Sequence, residues 1–153
     1  MFRFKFLGNT RLPHHKNTAG IAPVRMDPPS EVLIPTCQHI GCPATPIVKV
    51  GDEVKVGQVI AQESGHVSAP IHASVSGKVV KLDTILKANG KTVPAIRIAS
   101  DGMMTPYEGL QAPAINTVED LIDAARACGL VGPGGAGFPT AVKLEALKDG
   151  YIH

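Results

Sequence analysis

The chain has 153 residues, with 15 Lys+Arg against 13 Asp+Glu and a formal net charge of +2. This balance excludes the strong basic field of a general nucleic-acid binder, and no run approaches the roughly 20 apolar residues that span a bilayer. Sixteen glycines, 13 prolines, no Trp and 4% aromatics disfavour a helical bundle and suit short strands joined by tight turns. Cys37, Cys42 and Cys128 are too few, and odd in number, for a disulfide framework, so a reducing compartment is expected. The first residues lack the apolar core of a signal peptide, which also points to the cytosol.

In chain order, Phe2, Phe4 and Phe6 alternate with Arg3 and Lys5, the period of a short strand with one apolar face. Leu12 to Thr18 reads as an exposed polar loop, and Pro13, Pro23, Pro28 and Pro29 break any helix up to residue 30. From residue 31 to 100 the texture changes to β-branched runs of three to six residues bounded by Gly, Asp or Asn. These runs begin with Val32-Leu33-Ile34, Ile47 to Val50, Val54-Lys55-Val56 and Val59-Ile60-Ala61. They continue with Val67 to Pro70, Ala73 to Gly77, Lys78 to Leu82 and Val93 to Ile98. Such a succession predicts a small barrel or sandwich. Gly51-Asp52 and Gly57-Gln58 are read as tight corners, and Asn89-Gly90 as a hairpin turn.

Residues 101–116 hold two prolines and two glycines with no period, and are read as a linker. The clearest helix spans 117–128, with Thr117 as N-cap, Asp120 in the capping-box position and Gly129 as the left-handed stop. A second helix is expected from Pro139 to Lys148. The expected organisation is therefore a β domain over 1–100, a linker, and the start of a second domain over 117–153.

Between the helices lies Gly132-Pro133-Gly134-Gly135-Ala136-Gly137-Phe138-Pro139-Thr140, with Lys143 downstream. Glycines without Cβ atoms let backbone N–H groups converge on an anion. A helix start adds partial positive charge, and Lys143 offers a point charge one turn on. The segment is not a Walker loop, because no Lys-Ser/Thr follows Gly137, and it follows a helix rather than the strand of a dinucleotide fingerprint. A bare glycine cluster of this kind is more often only a turn between helices.

The frame from Gly129 to Leu144 is more specific. It resembles the flavin loop of the NADH-oxidising subunit of respiratory complex I, and more closely that of the RnfC family of the Rnf electron-transport complex. The segments Gln38 to Ala44, Val50 to Ile60 and Ser68 to Val79 are similar to lipoyl and biotinyl carrier domains, and again to the N-terminal domain of the RnfC family. No Lys stands between Ile60 and Val67, so a swinging-arm role is not expected. With Lys16-Asn17-Thr18-Ala19, the resemblance extends over nearly the whole chain.

The resemblance implies a mainly β barrel-sandwich hybrid followed by a short α segment opening a truncated α/β FMN/NADH-binding domain. It implies FMN bordered by Gly132, Gly134, Gly135, Gly137, Phe138 and Lys143, with Thr140 shaping the loop. Pro133 stands where the complex I protein has Arg, which removes one donor. It implies NAD(H) as electron partner, [4Fe–4S] clusters held by cysteine runs that this chain lacks, and the other Rnf subunits and ferredoxin as partners. The whole protein would work peripherally on the cytoplasmic face of the membrane, coupled to ion translocation. The 153-residue chain alone is expected to be inactive and to bind FMN weakly or not at all. Two other readings are a soluble relative serving an amino-acid or cobalamin reductase, and a pure scaffold.

Weaker signals are read conservatively. Cys37-x-His39-x-x-Cys42 fits no standard zinc spacing, and no metal site is expected. His14-His15 is read as a solvated pair, and His39 and His72 as residues that hold turns by hydrogen bonds. No nucleophile–base arrangement is present, so no catalytic residue is assigned.

Overall fold

The computed structural model describes residues 15–88 and 90–148. The Phe2–Phe6 strand, His14, Asn89 and the terminal Tyr151–His153 lie outside them. Among the described residues, seven strands run in the order β1 (Glu31–Pro35), β2 (Thr45–Pro46), β3 (Glu53–Val54), β4 (Val59–Gln62), β5 (Ile71–His72), β6 (Gly77–Leu86) and β7 (Thr92–Ser100). Helices α1 (Val118–Ala127) and α2 (Thr140–Lys148) follow. A four-stranded sheet in the order β1-β7-β6-β3 faces a three-stranded sheet β2-β4-β5, with every pairing antiparallel. This mainly β architecture, curled around one core, agrees with the barrel-sandwich expectation.

The core follows from alternation. Val32 and Ile34 stand opposite Ile98 and Ile96 across β1 and β7, and Val79 stands opposite Ile98 across β6 and β7. With Val54, Ile60, Ala61 and Val75 these side chains close the interior between the two sheets. Small and β-branched residues fill it, which is why a chain with so few aromatics still builds a dense core.

Two corners show why glycine is needed. Lys49-Val50-Gly51-Asp52 and Lys55-Val56-Gly57-Gln58 repeat one device. The fourth residue's N–H donates to the first carbonyl at 3.1 and 3.0 Å, and its side-chain oxygen accepts the first N–H at 2.9 and 3.0 Å. The third residue has φ of 98° and 84°, which glycine adopts freely.

Two readings are corrected. The β6–β7 hairpin is longer than runs of three to six, with strands of 10 and 9 residues. Asp83 and Thr84 interrupt the apolar run, yet Asp83 remains in the strand because Arg97 on β7 reaches it at 3.1 Å, with Glu31 of β1 as the second partner of the same guanidinium. Conversely, Ile47–Val50, Val67–Pro70 and Ala73–Ser76 are not strands. They lie extended or bent between corners, held by single main-chain bonds such as the Ile47 N–H to the Ile60 carbonyl at 3.0 Å and the Ala73 N–H to the Gln58 carbonyl at 2.8 Å rather than by a continuous ladder.

The turn after β6 is present where expected, with Gly90 at φ 78° and its N–H bonded to the Lys87 carbonyl at 2.9 Å. The 101–116 segment runs along the barrel. Val56 and Pro106 form a parallel bridge, and Leu110 covers Gly57. Among the described residues no helix is long and apolar enough to cross a membrane.

Candidate functional site

Helix α1 begins and ends as its sequence dictates. The Asp120 N–H donates to Thr117 Oγ1 at 3.1 Å, and the Asp120 carboxylate accepts the N–H groups of Asn116 and Thr117, each at 2.9 Å. Those bonds, led by the one from Asn116, hold the Asp120 carboxyl below its ordinary range. At the other end Gly129 has φ 63°, its N–H bonds the Arg126 carbonyl at 2.9 Å, and the Leu130 N–H bonds the Ala125 carbonyl at 3.1 Å. This pair of bonds is a Schellman stop. It turns the chain straight into the glycine loop.

The loop is closed at its base. Val131 and Pro139 form an antiparallel bridge, the Gly132 N–H bonds the Phe138 carbonyl at 2.9 Å, and the Thr140 N–H bonds the Leu130 carbonyl at 2.8 Å. Helix α2 starts immediately after, with no acidic residue in its first turn. The Arg126–Glu145 ion pair and the contact of Ile122 and Ala125 with Ala141 join it to α1.

The six residues expected around a cofactor are placed unequally. Gly134 and Gly135 form the exposed tip, with open space where a Cβ would stand. Lys143 Nζ lies 3.5 Å from the Cβ position of Gly132 and 5.6 Å from the centre of the Phe138 ring, within cation–π range. Gly132, Phe138 and Lys143 therefore come together behind an open tip. Gly137, at φ 67°, is buried and faces the barrel instead: its Cβ position is 2.9 Å from the Gln38 carbonyl oxygen and 3.1 Å from the His39 Cα. Among the described residues, no backbone carbonyl closes on the N–H groups of Gly134 and Gly135. Bare donors, a helix start without acids and an ammonium group fit the phosphate of a mononucleotide.

The Cys37, His39 and Cys42 triplet does not converge. His39 spends both ring nitrogens on main-chain partners, Cys37 Sγ stands 3.8 Å from Lys87 Nζ, and Cys42 sits against Gly65. Among the described residues, no three His, Cys, Asp or Glu side chains gather as a metal set. A cleft of about 450 Å³ has other walls, including Lys55, Ser76, Asp101 and Glu108. Four of its polar side chains are paired with one another: buried Ser76 Oγ donates to Asp101 at 2.7 Å and accepts the Thr105 N–H at 2.8 Å, while Lys55 pairs with Glu108. The Ser76 bond holds the Asp101 carboxyl below its ordinary range, and Lys55 does the same for Glu108.

The fold defines a barrel-sandwich hybrid carrying a helix–glycine loop–helix appendage. Comparison with known proteins agrees with that class. Residues 4–103 match the family model of the RnfC barrel sandwich hybrid domain. The chain belongs to this family. It is 40% identical over 151 residues to the C subunit of the Na(+)-translocating ferredoxin:NAD(+) oxidoreductase complex of Acetobacterium woodii, covering 94% of this chain and 33% of that protein. It is 41% identical over 153 residues to the C subunit of the ion-translocating oxidoreductase complex of Pseudomonas aeruginosa, covering 97% of this chain and 20% of that protein. The C subunit of the proton-translocating ferredoxin:NAD(+) oxidoreductase complex of Clostridium ljungdahlii is 39% identical over 148 residues, with 94% of this chain and 32% of that protein covered. The chain thus spans between a fifth and a third of the length of these curated relatives.

Proposed function

We propose that the chain serves an ion-translocating ferredoxin:NAD+ oxidoreductase complex as the barrel and flavin-loop portion of its RnfC protein. The observation that carries this reading is the loop itself: closed at its base, bare at Gly134 and Gly135, and backed by Lys143. In this reading Gly134 and Gly135 hold the phosphate of FMN through main-chain N–H groups, Gly132 leaves room at the loop base beside Lys143, which neutralises the phosphate, and Phe138 keeps the ammonium group in place. When bound, the flavin supplies the exchange of two electrons with NAD(H) and their onward passage one at a time. The chain supplies binding and orientation, and no side chain of the loop is required to move a proton.

The relatives' names and the family resemblance support the wider assignment. The other subunits of the complex and ferredoxin are the partners, [4Fe–4S] clusters lie elsewhere in the complex, and the assembly sits peripherally on the cytoplasmic side of the membrane. The barrel over 1–100 and the helical segment from 117 are treated as two units joined by 101–116. The 153-residue chain on its own is proposed to be inactive and to bind FMN weakly or not at all.

The test uses the complete gene product. Flavin content of Gly134→Val, measured by absorbance after purification, is expected to fall to a small fraction of wild type, because a branched side chain would occupy the space left for the phosphate. Unchanged flavin content would leave the loop as a mere turn and favour a scaffold role.

A further inference from the structure

Two glycines bracket the loop, and both are fixed by the barrel rather than by the loop. Gly137 meets Gln38 and His39. Gly129, at the other stem, would place a Cβ 2.6 Å from the Pro70 carbonyl oxygen and 3.3 Å from His72 Cε1. Both have positive φ, at 63° for Gly129 and 67° for Gly137. A side chain at either would meet barrel backbone, which cannot swing away, and would also strain its own backbone.

The two receiving segments are far apart in sequence, and one residue ties them. His39 is 6% exposed. Its Nδ1 lies 3.0 Å from the Ile40 carbonyl oxygen, and its Nε2 lies 3.2 Å from the Ala69 main-chain nitrogen and 3.1 Å from the Ala69 oxygen. With the proton on Nδ1, the ring donates to Ile40 and accepts the Ala69 N–H, so both nitrogens are satisfied. A second tie runs parallel to it: Ser68 Oγ donates to the Cys42 carbonyl at 2.9 Å, and the Cys42 N–H donates to the Val67 carbonyl at 2.9 Å. The walls that receive Gly137 and Gly129 are therefore tied to each other, and a small cleft of about 150 Å³ lies between them, its lining including Gln38, His39, Pro70, His72, Gly129 and Val131.

We propose that the barrel is the positioning platform of the glycine loop, with Gly129 and Gly137 as the two docking points and His39 as the brace that keeps their receiving walls in register. The assignment divides the glycines by task. Gly134 and Gly135 face open space and are free to meet a ligand, whereas Gly137 sets where the loop stands. The consequence for binding rests on the flavin reading, but the clamp itself does not. A loop held at both stems loses little further freedom when an anion binds its tip, so a barrel residue remote from the ligand sets affinity.

The clamp is tested on the 153-residue chain by amide hydrogen exchange, read residue by residue by NMR. Gly137→Ala should speed exchange of the Gly132 and Thr140 amides by about tenfold or more, while Val79 and Ala73 in the barrel change less than about twofold. Gly134→Ala, at the open tip, should leave all four unchanged. Unchanged exchange at Gly132 and Thr140 in Gly137→Ala, or equal loosening of the barrel, would overturn the clamp whatever the chain binds. In the complete gene product, Gly137→Ala and His39→Ala should each weaken FMN affinity about tenfold. A loosened stem with unchanged FMN affinity in Gly137→Ala would remove the platform role. If wild-type complete protein takes up no FMN, the flavin reading falls while the exchange result still decides the clamp.

Discussion

The barrel and the helical appendage are stabilised in opposite ways. Among the described residues the barrel closes around eleven buried side chains from both sheets, including Ile60, Ile96 and Ile98 at 0% exposure. The appendage has three, Ile122, Ala125 and Ala141. Two helices of ten and nine residues are too short to be stable alone in water. What the appendage lacks in core it obtains from caps and from contact with the barrel. The barrel is thus a scaffold that would persist without the appendage, and the appendage is a site that depends on the scaffold. The division would suit the proposed ligand-holding role of the loop, since binding segments are commonly drawn from the regions of lowest local stability.

Substitutions can break this contrast at different depths. The largest effect is expected in the barrel core. Ile96→Ala removes a fully buried side chain facing Ile34 and Leu82 across β1 and β6, and should cost about 2–5 kcal/mol, read from the denaturant midpoint. Because the appendage depends on the barrel, both should unfold together. A change confined to one of them would contradict the contrast. Next comes Thr117→Ala, which removes the N-cap of α1 and should cost about 1 kcal/mol, concentrated in the appendage. Exchange at the Leu121 amide, bonded to the Thr117 carbonyl, should rise while the barrel stays protected.

Acid sharpens the comparison further. The Asp120 carboxyl titrates below its ordinary 3.8 in the folded chain because it accepts the Asn116 and Thr117 N–H groups. Its contribution is fully present above the unfolded value and is lost as pH falls below about 4 through the lower folded value. Helix α1 should fray in that window, and Asp120→Asn should flatten the dependence, as followed by circular dichroism during titration. In the barrel Asp101 behaves with the same sign, held by Ser76 and the Met103 N–H. Its loss should be less visible there, because the buried sheets remain. The smallest effect is expected for Arg97→Lys, which exchanges a guanidinium shared by Asp83 and Glu31 for an ammonium group. The pairs lie on the barrel surface, so the denaturant midpoint should shift slightly, and less so at high salt.

Local chemistry is legible in the residues, and long-range contact is not. Thr117 with Asp120, the Gly129 stop and the Gly51 and Gly57 corners all act within a few residues, and each is found where expected. The hairpin turn at Gly90 is likewise present, though its strands run on past Asp83, whose partner Arg97 lies on the other strand. The loop glycines show the limit most plainly. Gly134, Gly135 and Gly137 look alike in a row of letters, yet only Gly137 is pressed against another segment, nearly a hundred residues back at Gln38. A glycine needed for close approach carries no local mark of it. His39 holds a turn by hydrogen bonds, as its sequence context suggests, but its reach to Ala69 depends on the fold.

One pairing also orders events in time. Strand β1 is paired with β7, so Glu31 finds its partner only at Ala99. During synthesis β1 is made early and then waits, its ladder to β7 unmet, until β7 emerges. The β6–β7 hairpin closes over a short turn, so it is expected to form first and to offer β1 the edge it needs. A ribosome-stalled chain ending at Gly90 should therefore lack any protected β1, and the appendage, made after β7, arrives at a platform already built.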